Sequence, residues 1–185
     1  MLVKDGAAAL PRSRLEQAGV RVVAEVAASR CLAEVAAVRP DVVLIDCDTP
    51  SRDMLECVRV MSMQGGQTVV MFTADDSRDA IRAALGAGVA GYVAGMVENA
   101  RIRSLLEVAI ERHRIDVSRR AELADAQRQL AERKVVEKAK GLLMAMKGLD
   151  EAAAYKQLRE RAMKQQKKLV EVAQEIISLA AWLKS

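Results

Sequence analysis

The densest set of chemically capable side chains lies in the last third of this 185-residue chain. Between Ala131 and Ser185 stand twelve lysines and arginines against seven aspartates and glutamates, a local charge of +5 in a chain that carries +4 in all. A positive face confined to one segment is the electrostatic footprint of a nucleic-acid binder, although a merely solvated helical face has the same composition. With aromatic residues at only 2%, the chain has no means of building a stacking sheet of the RRM or OB kind. Phosphate contacts therefore fall to lysine and arginine, and Arg159 is the best candidate to lie flat on a base or fork onto a phosphate. Tyr155 and Trp182 are the aromatic residues of the segment, and Trp182 is expected in a core or an interface.

Other chemistries find little support. His113 is the single histidine and has no partner in the sequence for acid–base work. Cys31, Cys47 and Cys57 are scattered, without metal-ligand or redox spacing, so buried or free thiols in a reducing compartment are expected. There is no glycine-rich phosphate loop, no nucleophile paired with a base and no metal cluster. The chain is thus read as no enzyme, with no cofactor and no metal. The apolar runs are short and broken by charge, which predicts a cytoplasmic protein without a signal peptide or membrane span.

The basic residues must be held by helices. From Arg133 to Leu183 apolar residues recur at three- and four-residue intervals, in three groups. Val136, Ala139, Leu143 and Met146 form the first stripe, closed by Lys147 and Gly148. Asp150 offers an N-cap with Glu151 in the first turn, and Ala154, Leu158 and Ala162 form the second stripe. Leu169, Val172, Ala173, Ile176, Ile177, Ala180 and Leu183 form the third. Leu143, Leu158, Met163 and Ile176 are assigned to the core of this unit.

The first 103 residues alternate strand-like runs with helical patterns, as βαβ units around a parallel sheet do. Strands are predicted at Met1–Val3, Val20–Val23, Asp41–Ile45, Val69–Phe72 and Gly91–Val93, with helices over Ser13–Ala18, Ser29–Val38 and Arg78–Gly86. The first strand is short, which places the true start of the chain a few residues upstream. Sheets of this kind hold ligands beyond the carboxyl ends of their strands, where Asp5, Asp46, Thr73 and Gly95 fall. From Ile102 to Leu130 there is no Gly or Pro, predicting one long helix that continues into the C-terminal unit. Ile110, Val117, Ala124 and Ala131 recur every seven residues, with Ala121 and Val135 in companion positions and Arg114 and Arg128 interrupting them. Such a helix packs on the first domain or pairs in a parallel dimer, and the dimer is the expectation.

Particular residues carry a resemblance. Glu137-Lys138-Ala139-Lys140-Gly141-Leu142-Leu143-Met144, with Ala154 to Arg159, Ala162-Met163 and Leu169 to Ala173, resembles the ANTAR domain. That likeness implies a three-helix module, over 133–185, that binds paired stem-loops in bacterial leader RNA. Seven residues are the expected RNA contacts: Arg133, Lys134, Lys140, Arg159, Lys164, Lys167 and Lys168. Gly141 would allow close approach of a helix or of the RNA backbone.

The first domain, over 1–103, resembles the flavodoxin-like receiver domain of response regulators, with 104–132 as connecting helix. The likeness makes Asp46 the equivalent of the phosphoacceptor, Thr73 the hydroxyl of the fourth strand and Asp5 one of two metal-holding acids. Lys4 stands where the second acid would be and Gly95 where a lysine would be. Those replacements remove charge that a transferred phosphoryl group and its Mg²⁺ require, so a pseudo-receiver is expected, with Asp46 not phosphorylated. Thr49-Pro50-Ser51-Arg52-Asp53, Val70-Met71-Phe72-Thr73-Ala74-Asp75-Asp76 and Asp79-Ala80-Ile81-Arg82-Ala83-Ala84 in the first domain, with Leu130-Ala131-Glu132-Arg133-Lys134 to Gly141-Leu142-Leu143-Met144 in the second, are similar to the NasT-type nitrate-responsive antiterminators, and this resemblance covers nearly the whole chain. This implies control of nitrate and nitrite assimilation genes, a nitrate-sensing partner protein of the NasS type and a homodimeric active state. The readings left beside it are a phosphorylation-controlled response regulator and a helical adaptor that binds only proteins.

Overall fold

The computed structural model describes residues 1–6, 10–64 and 66–182, and they fall into two compact units, Met1–Ser118 and Arg119–Ser185. In the first unit five strands form one parallel sheet: β1 (Leu2–Asp5), β2 (Glu25–Ala27), β3 (Val42–Cys47), β4 (Thr68–Thr73) and β5 (Gly91–Ala94), in the order β2-β1-β3-β4-β5. Five helices belong to this unit in whole or in part: α1 (Arg12–Gln17), α2 (Cys31–Val38), α3 (Arg52–Gln64), α4 (Arg78–Ala87) and the start of α5 (Asn99–Lys147). This is the doubly wound receiver arrangement anticipated above.

The sheet is covered on both faces, which is why β3 and β4 are nearly continuous apolar runs. Alternate residues serve opposite clusters. Val43, Ile45, Val69 and Met71 meet Cys31, Val35, Met54, Val58 and Met61 on one side, whereas Leu44, Val70 and Phe72 meet Leu15, Ile102, Leu106 and Ala109 on the other. The start of α5 is therefore part of this unit's core, and the expected boundary at residue 103 falls within it. His113, one turn further on, is 8% exposed with its Nε2 2.8 Å from the Gly66 carbonyl oxygen. α4 is bounded as its sequence suggests: the Ser77 hydroxyl accepts the Ala80 N–H, and Gly88 ends the helix at φ +101°. A Cβ at Gly88 would come within 2.3 Å of Ser62 Oγ, so both conformation and space require glycine there.

Two expectations need correction. The second strand is Glu25–Ala27, not Val20–Val23. Val22 turns into the core beside Leu15, and pairing with β1 starts where Leu2 N–H donates to the Ala24 carbonyl, at 2.9 Å. Arg52–Gln64, to which no element was assigned, is the helix α3, with Met54, Val58 and Met61 as its buried stripe.

In the second unit the end of α5 packs with α6 (Glu151–Gln165) and α7 (Leu169–Trp182). Gly148 at φ +65° and the Asp150 side chain, which accepts the Ala153 N–H at 2.7 Å, turn the chain from α5 into α6. Ala139, Leu143, Ala154, Leu158, Ala162, Val172 and Ala173 form the core, with Val136, Leu169, Ile176 and Ile177 packed against it. Met163 and Met146 leave the positions expected of them, at 71% and 54% exposure. Five residues beyond Leu158, Met163 is rotated about 140° around the helix from the buried side; Met146 lies outside the cluster, one turn past Leu143. Trp182 is also exposed. Leu183 and Lys184, counted above in the apolar stripe and the basic set, lie outside the described residues.

Candidate functional site

The carboxyl ends of the strands bring Asp5, Asp46, Thr73 and Gly95 to one edge of the sheet, as expected, but their partners leave little chemistry available. Asp46 is 1% exposed and its Oδ2 accepts the Leu10 backbone N–H at 2.8 Å. The Thr73 hydroxyl donates to the Asp48 carbonyl at 2.7 Å and accepts the Asp75 N–H at 3.2 Å. Asp5 Oδ2 accepts from the Ser51 hydroxyl, at 3.5 Å. Lys4 pairs with Glu25 across the β1–β2 edge, Nζ to Oε1 2.9 Å. Gly95 sits at φ +77°, a conformation in which a lysine would be strained although space is open around it.

A cavity of about 130 Å³ remains there, lined by Leu10, Arg14, Asp46, Phe72, Thr73 and Met96 among others. Arg14 does not reach Asp46; its guanidinium donates to the Asn99 side-chain oxygen at 2.7 Å and to the Val97 carbonyl. The Mg²⁺ that receivers employ finds a poor donor set. Among the described residues no group of three Asp, Glu, His or Cys side chains could hold a metal ion, whereas a hard divalent cation wants about six oxygens. Beside Asp46, burial pushes the Cys47 thiol up to about 11, with Asp5, Asp46 and Asp48 adding to the shift.

The second unit divides the seven expected contacts. Arg133, Lys134, Arg159, Lys164 and Lys168 are exposed and, among the described residues, enter no ion pair. Lys167 pairs with Glu175 on α7. Lys140 is only 7% exposed; its Nζ lies 2.9 Å from Glu137 Oε2, 2.7 Å from Glu151 Oε1 and 5.9 Å from the centre of the Tyr155 ring. The hydrogen bond to Glu151, then that to Glu137, raises the Lys140 pKa, and the same contact holds the Glu151 carboxyl below the usual carboxylate range. Lys140 is therefore covered and paired rather than open to solvent as the expected RNA contact would be, and the spacing of Lys140 and Glu151 in the chain does not show that α5 and α6 bring them together. A Cβ at Gly141 would meet nothing within 4 Å, so packing inside this chain does not require that glycine.

A receiver-type sheet with a buried carboxylate at the acceptor position, followed by a basic three-helix unit, defines a two-part regulatory protein. The sequence matches the response regulator receiver domain family over residues 4–107 and the ANTAR domain family over residues 124–177. The chain belongs to the response regulator receiver family and carries an ANTAR domain at its C-terminal side. It is 28% identical over 164 residues to the transcriptional regulatory protein PdtaR of Mycobacterium tuberculosis, covering 88% of this chain and 80% of that one. It is 38% identical over 60 residues to the nitrate regulatory protein of Klebsiella oxytoca, covering 32% of this chain and 15% of that one. The fold is shared with the signal receiver domain of a modulated diguanylate cyclase from Desulfovibrio desulfuricans G20, at TM-score 0.52 and 21% identity, over 62% of this chain and 95% of that one. No helix among the described residues is long and apolar enough to cross a membrane.

Proposed function

We propose that this protein is an RNA-binding transcription antiterminator that holds paired stem-loops in the leader RNA of nitrate and nitrite assimilation genes. The observation that carries the reading is the set of exposed cations Arg133, Lys134, Arg159, Lys164 and Lys168, which enter no ion pair among the described residues, on a packed three-helix ANTAR unit. Five cations exposed to solvent are suited to replace the counterions of a phosphate backbone. The likeness to the Klebsiella oxytoca nitrate regulatory protein and the sequence features of the first domain support nitrate as the physiological signal. The active form is a homodimer, and a nitrate-sensing partner protein of the NasS type restrains it.

The receiver unit supports a reading in which control comes from sequestration rather than from phosphorylation. Asp46 is buried and capped by a backbone N–H, Lys4 is paired away from it, and no lysine stands at position 95. Acetyl phosphate with Mg²⁺ should add no phosphate to the chain; uptake that disappears in Asp46→Asn would restore the phosphorylation-controlled reading. For RNA, the purified chain is titrated with leader RNA of a nitrate-assimilation operon at several salt concentrations, beside loop-scrambled RNA and duplex DNA of matching sequence. Selective binding to the native loops that weakens steeply with salt is expected. Equal or absent binding to all three would move the function to a protein-binding adaptor.

A further inference from the structure

The flank of α6 turned away from the core carries a second kind of chemistry. Residues four apart on a helix lie one above the next, and here they are Tyr155, Arg159 and Met163. The tyrosine is 43% exposed, the arginine is exposed and the methionine is 71% exposed, whereas Ala154, Leu158 and Ala162 on the other side are buried. A ring, a planar guanidinium and a polarizable thioether in one row offer flat, weakly hydrated surface to water, an arrangement unlike a merely solvated helical face. The ring is not loose. Lys140 sits against it, and Glu137 and Glu151 hold that ammonium in place from α5 and from the first residue of α6.

We propose that Tyr155, Arg159 and Met163 form a stacking site for unpaired bases of a bound RNA, and that Lys140 is the residue that positions it. This inference rests on the RNA-binding reading above and gives it a ligand class: single-stranded loop bases. Paired bases are already stacked on each other, whereas splayed loop bases stack on aromatic rings and guanidinium planes. Lys140, with its charge matched by two carboxylates and its side chain covered, contributes no phosphate contact of its own. Arg133, Lys134, Lys164 and Lys168 supply those.

The test uses the full chain and RNA selected on it from a pool of two-hairpin molecules with randomised loops. The recovered RNA is remade with 2-aminopurine at each loop purine in turn. Binding to the wild type should quench the fluorescence of at least one loop position. Tyr155→Leu should abolish that quenching and weaken binding about tenfold or more, while leaving the slope of log K against log salt unchanged; Tyr155→Phe should behave as wild type. Lys140→Met should reproduce the loss with the same unchanged slope, and Lys140→Arg should restore binding. Helical circular dichroism and thermal melting confirm that each variant is folded. Wild-type affinity in Tyr155→Leu, the absence of quenching at every loop position, or a salt slope in Lys140→Met reduced by about one phosphate contact would each overturn the proposal while leaving RNA binding intact. If the wild type selects no RNA, the RNA-binding reading fails and the stacking site with it.

Discussion

Cys31 and Cys47 lie buried on the α2–α3 face of the sheet, and desolvation pushes both thiols up to about 11 from an ordinary value of 9.0. An unfolded chain ionises its cysteines first as pH rises, so the stability these neutral thiols contribute is whole below about 9 and is lost progressively towards about 11. The melting temperature should therefore fall across that interval, and Cys47→Ala should lessen the fall. Cys57 is only half-buried, and alkylation followed by mass spectrometry should find it modified well before the other two. At this scale the sequence is a good guide to where the strand-end residues lie and a poorer one to what they touch. The positions of Asp5, Asp46, Thr73 and Gly95 at the strand ends follow from apolar runs that stop where polar residues begin. That Thr73 spends its hydroxyl on Asp48 and Asp75, or that Lys140 is covered by residues from two helices, depends on contacts distant in the chain.

The helices of the second unit show how much each stabilising device contributes. Leu158 is wholly buried among Ala139, Leu143, Val172 and Ala173, so Leu158→Ala should cost about 2–5 kcal/mol in denaturant unfolding. Asp150→Ala removes the acceptor of the Ala153 N–H and should cost about 1 kcal/mol. Glu151 adds a pH dependence of opposite sign to that of the thiols. Its carboxyl is held low by Lys140, so its contribution is present above the ordinary carboxylate range and is lost as pH falls through the lowered value. These three helices were legible because their stripes are regular and their caps are in the sequence. α3 has an equally regular buried stripe in Met54, Val58 and Met61, but Leu55, Cys57 and Val60 lie off that stripe and blur its periodicity in the sequence. β2 differs from the expectation for a physical reason: a short edge strand is defined by its backbone pairing with β1, while Val20 and Val22 of the more apolar run serve the core without pairing.

For the molecule as a whole, assembly turns on α5. Val117, Ala121, Ala124 and Ala131 of the seven-residue pattern are exposed, as is the row Ile115, Leu123 and Leu130 further round the same helix. Apolar side chains in that number call for a covering partner, and a second copy of α5 is the expected one. Sedimentation of the purified chain should show a dimer that Val117→Glu or Ala124→Glu converts to monomer. On a two-hairpin RNA the same variants should lose one to two orders of magnitude or more in affinity, and on a single hairpin little, because the second contact is no longer intramolecular. The parts of this architecture were legible from composition and spacing; the division between them was not, because α5 shows no break in sequence where one unit ends and the next begins. The packing of Ile102, Leu106 and Ala109 beneath the sheet also bears on how the protein is made. A chain emerging from the ribosome completes all five strands by Ala94, yet Leu2, Leu44, Val70 and Phe72 have only Leu10, Leu15 and Val22 of their buried cluster against them until the first turns of α5 add Ile102, Leu106 and Ala109. Synthesis paused at that point would present a sticky, unfinished sheet to chaperones, and a gene cut at residue 103 would fix the protein permanently in that state.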